Sequence, residues 1–83
     1  MYKLVIAASA EREIKRLKKL YQDTLLAVLE DLKEDPFLGK PLTRELTGRF
    51  SYKIDGYRII YKVNKREKIV QIISAGHRST AYN

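Results

Sequence analysis

Cysteine and tryptophan are absent from the 83 residues, and histidine and methionine occur once each. Without cysteine there is no disulfide framework and no thiolate chemistry, and a small domain that does without such staples suits a reducing cytoplasm. A single histidine cannot build a zinc site. Long apolar runs are missing too: Leu4 to Ala8 soon gives way to charged residues, which excludes a secretory signal and a membrane-spanning helix. The expected location is the cytoplasm. Carboxylates are scarce, 10 against 17 Lys and Arg, so the net charge is +7 and the pI about 9.8. That balance points to an anionic partner. What is present, 45% hydrophobic and 33% charged residues in 9.7 kDa, suffices for one modest core. Residues 1–83 are expected to form a single domain.

Leu4-Val5-Ile6-Ala7 is short and β-branched, as in a buried strand. Ser9 is a candidate N-cap, Glu11 and Glu13 suit a first helical turn, and Ile14, Leu17, Leu20 and Tyr21 recur at helical spacing. A second helix is expected from about Asp23, with Leu25, Val28, Leu29 and Leu32 as its apolar stripe. It ends before Asp35-Pro36, because proline disfavours helical geometry at the preceding residue. Pro36, Gly39 and Pro41 mark a connecting segment with little regular structure, pinned by Phe37, Leu38 and Leu42. From Phe50 the period falls to two: Phe50, Tyr52 and Ile54 alternate with Ser51, Lys53 and Asp55. Asp55-Gly56 signals a two-residue hairpin turn, after which Tyr57, Ile59, Tyr61 and Val63 alternate with Arg58, Ile60 and Lys62. A looser turn from Asn64 to Glu67 leads to the apolar run Ile69 to Ala75. The order βααβββ predicts an α+β fold, a two-helix hairpin on one face of a mostly antiparallel twisted sheet.

The basic surplus is uneven. Residues 9–34 hold six basic and six acidic side chains, whereas residues 40–83 hold ten basic ones against Glu45, Asp55 and Glu67. The sheet half therefore carries the net charge. A two-residue turn at Asp55-Gly56 sets Ile54 against Tyr57 and Lys53 against Arg58, a like-charge pair that destabilises a sheet. Carried onward with Val63 opposite Lys68, the register adds Gln71 and Ile73 to the same face. Tyr52, Ile54, Ile59, Tyr61, Val70 and Ile72 then point to the helices. The face left over is cationic, either a surface for a polyanion or an ordinary solvated face with Lys and Arg splayed apart. Tyr52, Tyr57 and Tyr61 are expected in the core. Arg49 is a further phosphate contact or a solvated loop residue.

Between Ala75 and Asn83, His77, Arg78 and Tyr82 set an imidazole, a guanidinium and a phenol close together, groups that bind phosphate, stack on bases and exchange protons. By composition this is equally an exposed strand end with a tyrosine packed on the domain. Three stretches narrow the reading: Asp35-Pro36-Phe37-Leu38-Gly39-Lys40-Pro41-Leu42, then Gly56-Tyr57-Arg58-Ile59-Ile60-Tyr61, then Gly76-His77-Arg78 followed by Tyr82. In this order and spacing they resemble the RelE/ParE toxin superfamily across nearly the whole chain. The resemblance implies a toxin of a type II toxin-antitoxin system. Its RelE-type branch implies an mRNA interferase, an endoribonuclease that enters the A site of the 30S ribosomal subunit and cuts translated mRNA with no metal or other cofactor. The ParE-type alternative inhibits DNA gyrase without catalysis, and a shared fold does not separate the two.

The same resemblance assigns roles position by position. Arg58 matches the strand arginine on the scissile phosphate, and Arg78 the arginine that stabilises developing charge or helps the leaving group. Tyr82 matches the C-terminal tyrosine that stacks on the base or takes part in proton transfer. Lys53 lies near the lysines that some members use as a base, and His77 is a second base candidate by its chemistry. A phenol or ammonium titrating near pH ~10 needs cationic surroundings to act at neutrality, whereas an imidazole does not. The implied partners are a cognate RelB-like antitoxin, whose acidic residues meet the basic face in a heteromeric complex, the ribosome and mRNA. The free toxin is expected to be monomeric and away from membranes.

Overall fold

A parallel contact between the first and last strands organises the sheet. In the computed structural model, which describes residues 1–54 and 56–77 and only the backbone of Leu46 and His77, β1 (Lys3–Ile6) leads into α1 (Ala8–Lys15) and α2 (Lys19–Glu34). A short β2 (Lys40–Pro41) and a 3-10 turn (Arg44–Leu46) precede β3 (Arg49–Ile54), β4 (Tyr57–Asn64) and β5 (Ile69–His77). The five strands lie in the order β1-β5-β4-β3-β2, with β1 parallel to β5 and the other pairs antiparallel. The expected α+β architecture is present, with β2 added in the segment read as irregular.

The apolar stripes meet where the alternation places them. Ala10, Leu25, Leu29 and Leu32 from the helices close over Ile59, Tyr61, Val70 and Ile72 from the sheet, all at most 3% exposed. Tyr52 and Ile54 pack against this cluster, and Tyr57 stacks obliquely on Tyr21 with ring centroids 4.7 Å apart. The tyrosines thus serve the core. Tyr61 is fully buried, its hydroxyl donating to the Pro36 carbonyl at 2.8 Å and accepting from the Gly39 N–H at 2.9 Å. Its ring stacks on Phe50 with centroids 5.5 Å apart, which ties the Pro36–Gly39 connection to β3 and β4.

Two expectations need correction. The first helix does not run to Tyr21: α1 ends at Lys15, and Leu20 and Tyr21 belong to α2. The side-chain amide of Gln22 explains the break, because it donates to the carbonyls of Ile14, Lys15 and Leu17 at 3.0, 3.3 and 3.1 Å. Carbonyls left over at a helix end are satisfied without a glycine. Ser9 is not the cap either, since Ala7 holds that position with extended geometry and no side-chain bond.

The second correction concerns register. Ile54 faces Tyr57 and Lys53 faces Arg58 as expected, but Val63 pairs with Val70 rather than Lys68. The turn needs Lys65 to Lys68, with Asn64 Oδ1 accepting from the Glu67 N–H at 3.0 Å and Lys68 at a left-handed φ of 55°. That slip of two residues preserves the faces. A bulge then changes them: Tyr61 pairs with Ile72 and Ile60 with Ser74, so Ile73 has no partner on β4. Ser74 and Gly76, not Ile73, share the face of Arg58. No helix among the described residues is long and apolar enough to cross a membrane.

Candidate nucleic-acid interface

Because side chains alternate along strands and match across them, the register alone lays out the face turned from the helices as three lateral rows. Lys53, Arg58 and Gly76 form one; Ser51, Ile60 and Ser74 the next; Arg49, Lys62, Gln71 and Val5 the third. The middle row is uncharged and largely buried, with Ser51 8% and Ile60 3% exposed. Ile60 is buried without belonging to the helix-side core, as expected for a side chain on the opposite face. The outer rows are four residues apart along a strand, about 13 Å. The cationic face is therefore two rows with a neutral strip between them.

The first row holds two of the residues singled out from sequence, Lys53 and Arg58. Lys53 is exposed at the end of β3, Arg58 is half-buried near the start of β4, and the two are direct cross-strand partners. Directly opposed residues have Cβ atoms roughly 5 Å apart, close enough for both cations to reach one phosphodiester. On the other side of Arg58 lies Gly76, which has no side chain, and the backbone of His77 pairs with Tyr57. The chain leading to Arg78 thus passes beside Arg58. Arg78 and Tyr82 lie outside the described residues. Arg49 is separate from this cluster, half-buried in the third row opposite Lys62.

Helix α1 holds the end of β5 in place. Strand β1 stops at Ile6 opposite Ile72, so the outer edge of β5 beyond that point needs other partners. Ser9 Oγ donates to the Ile73 carbonyl at 3.3 Å, and Glu13 Oε1 accepts from Ser74 Oγ at 3.3 Å and from the Ala75 N–H at 3.4 Å. Sequence reasoning took both side chains for helix-start signals and missed this role. Their four-residue spacing, which sets a hydroxyl and a carboxylate on one helix face, is the signal available. The arrangement can grip a phosphate, stabilise negative charge and hold a short strand end beside it. Among the described residues, no group of three His, Asp or Glu side chains could hold a metal ion.

Comparison with known proteins bears on the whole chain. The family model for the ParE toxin of type II toxin-antitoxin systems, parDE, matches residues 4–82. Toxin RelG of Mycobacterium tuberculosis is 36% identical over 86 residues, covering 98% of this chain and 95% of the relative. The toxin-antitoxin complex RelBE2 of the same organism superposes with a TM-score of 0.87 at 30% identity, covering 93% of this chain and 98% of that one. The isolated RelE toxin of E. coli superposes with a TM-score of 0.81 at 27% identity, covering 99% and 92%. Matched along nearly its full length in sequence and in fold, this chain belongs to the RelE/ParE family of toxins from type II toxin-antitoxin systems.

Proposed function

We propose that this toxin is a ribosome-dependent mRNA endonuclease that cuts in the A site. The observation that carries the reading is the Lys53–Arg58 pair, set beside the end of β5 on the sheet face that bears the basic surplus. Likeness to proteins named RelG and RelE supports the nuclease branch, although the matching family model carries the ParE name. In the proposed reaction a ribose 2′-oxygen forms a bond to the adjacent phosphorus while the 5′-oxygen bond breaks, leaving a cyclic phosphate and a free 5′-hydroxyl. The proton from the 2′-hydroxyl goes to a base, for which His77, Lys53 and Tyr82 are the candidates, and the leaving oxygen takes up a proton. Arg58 and Arg78 stabilise charge on the phosphoryl oxygens, Tyr82 stacks on the base, and Arg49 and Lys53 steer the strand. Neither a metal nor another cofactor is part of this proposal.

A RelB-like antitoxin is the proposed partner, held in a heteromeric complex in the cytoplasm, and residues 1–83 act as one domain. Its acidic groups would neutralise the basic face. The test adds the purified protein to a translating extract and maps mRNA 5′ ends, with Arg58→Ala and Arg78→Ala in parallel. Codon-positioned cuts that vanish in both variants are the expected result. Inhibition of gyrase supercoiling without such cuts would replace the reading with the ParE type.

A further inference from the structure

We propose that Glu13 is a positioning residue of the cleavage site: from helix α1 it fixes the end of β5 that carries the chain past Arg58. The proposal rests on the nuclease reading above. Strand β1 covers the outer edge of β5 only as far as Ile72, whose carbonyl accepts from the Ala7 N–H at 2.9 Å. The bulge then turns a second, consecutive carbonyl to the same side, because the Ile73 carbonyl accepts from Ser9 Oγ at 3.3 Å. Glu13 takes the groups that follow. Its Oε1 accepts from Ser74 Oγ at 3.3 Å and from the Ala75 N–H at 3.4 Å. Helix α1 thus continues the ladder where β1 stops, with side chains in place of backbone.

The place of this contact in the chain gives it consequence for the site. Ala75 is followed by Gly76, the partner of Arg58, and by His77, the partner of Tyr57, and Arg78 comes three positions after Ala75. A strand end paired along one edge frays easily. Pinned along both edges, it holds Gly76 against Arg58. The helix that does the pinning is itself anchored, with Ala10 fully buried and Ile14 packed on the core. Glu13 belongs to neither cationic row, so it acts on the reaction through β5 and not by touching RNA. Both of its bonds end on one oxygen, and an amide oxygen at the same reach can accept both. Reach, more than charge, is what the clamp requires.

The test compares Glu13→Gln, which keeps an accepting oxygen at the same reach and loses the charge, with Glu13→Asp, which keeps the charge and draws the oxygen back by one methylene. Cleavage by the full chain on mRNA-programmed ribosomes gives kcat and KM, and hydrogen exchange at the Ala75 amide and the unfolding temperature are followed alongside. Glu13→Asp should lower kcat by about 10–100-fold, leave KM within about twofold and speed Ala75 exchange about tenfold. Glu13→Gln should keep kcat within about threefold of the parent and the amide protected. The reverse order, with Asp active and Gln impaired, would assign the role to charge and overturn the proposal. So would a rise in KM in place of the fall in kcat. If Glu13→Asp fails to fold, Ser74→Ala, which removes one of the two bonds, replaces it. Its kcat should then fall about three- to tenfold at unchanged KM, and a parental kcat overturns the proposal. A parent that cuts no mRNA defeats the nuclease reading itself, whereas a cutting parent with an equally active Glu13→Asp variant defeats only the positioning role.

Discussion

At the scale of single residues, Tyr61 joins segments distant in the chain through one hydroxyl. Burial, the largest cause, raises its pKa above the ordinary 10.0, the Gly39 N–H opposes that, and the charges of Asp35 and Tyr52 add to it. The neutral phenol is therefore favoured by folding. Its contribution is complete below about pH 10 and is lost as pH rises through the raised value. Urea-unfolding free energies measured from about pH 8 upward should fall in the parent and fall less in Tyr61→Phe. At neutral pH the same substitution should cost about 1–3 kcal/mol, because the Pro36 carbonyl and Gly39 N–H lose their shared partner. Gly39→Ala should cost about as much through overpacking, since an added Cβ would meet the Tyr61 hydroxyl and lie 3.0 Å from the Ser51 carbonyl. On the open face, Arg58→Ala should lower single-turnover cleavage by about 10²–10³-fold if its guanidinium stabilises charge in the transition state.

Elements show where local pattern is sufficient and where it fails. Strands β3 and β4 were legible because strict alternation and Asp55-Gly56 agree on one register, and the end of α2 was legible from Pro36. The break between α1 and α2 was not, because Ile14, Leu17, Leu20 and Tyr21 keep helical spacing straight through a turn closed by a side chain from the next helix. Gln22→Ala should remove that closure, and thermal unfolding should show a loss of about 1–2 kcal/mol. The bulge was equally invisible, since nothing in Ile72-Ile73-Ser74 marks an extra residue. Deleting Ile73, the residue without a partner on β4, should restore a continuous ladder with Ser74 still opposite Ile60 and Gly76 still opposite Arg58. Circular dichroism of that deletion should remain sheet-like, and a collapsed sheet signal would show that the bulge is required by the fold. Lys53 and Arg58 were paired by register alone, whereas specific roles for Arg78 and Tyr82 came through family resemblance.

For the molecule as a whole, the distribution of charge is as informative as its sum. Helical charges largely compensate one another, as in the pairs Glu11–Lys15 at 3.2 Å and Glu30–Lys33 at 3.2 Å, while the sheet half keeps the surplus. Binding to ribosomes should therefore weaken steeply with salt. Lys53→Glu should flatten the logarithmic slope by about one phosphate contact or more, and an unchanged slope would remove Lys53 from the interface. The parallel ladder that sets Lys3 beside Ile69 has a consequence for biosynthesis. The first strand to be made waits for the last, which is also the strand that must lie between β1 and β4 before the sheet is continuous. Closing so long a loop is slow, and no shorter nascent chain can complete it. A toxin built this way has no finished cationic face while most of it is still being translated; on the proposed ribosomal reading, the ribosome that makes it is then the one least exposed to it.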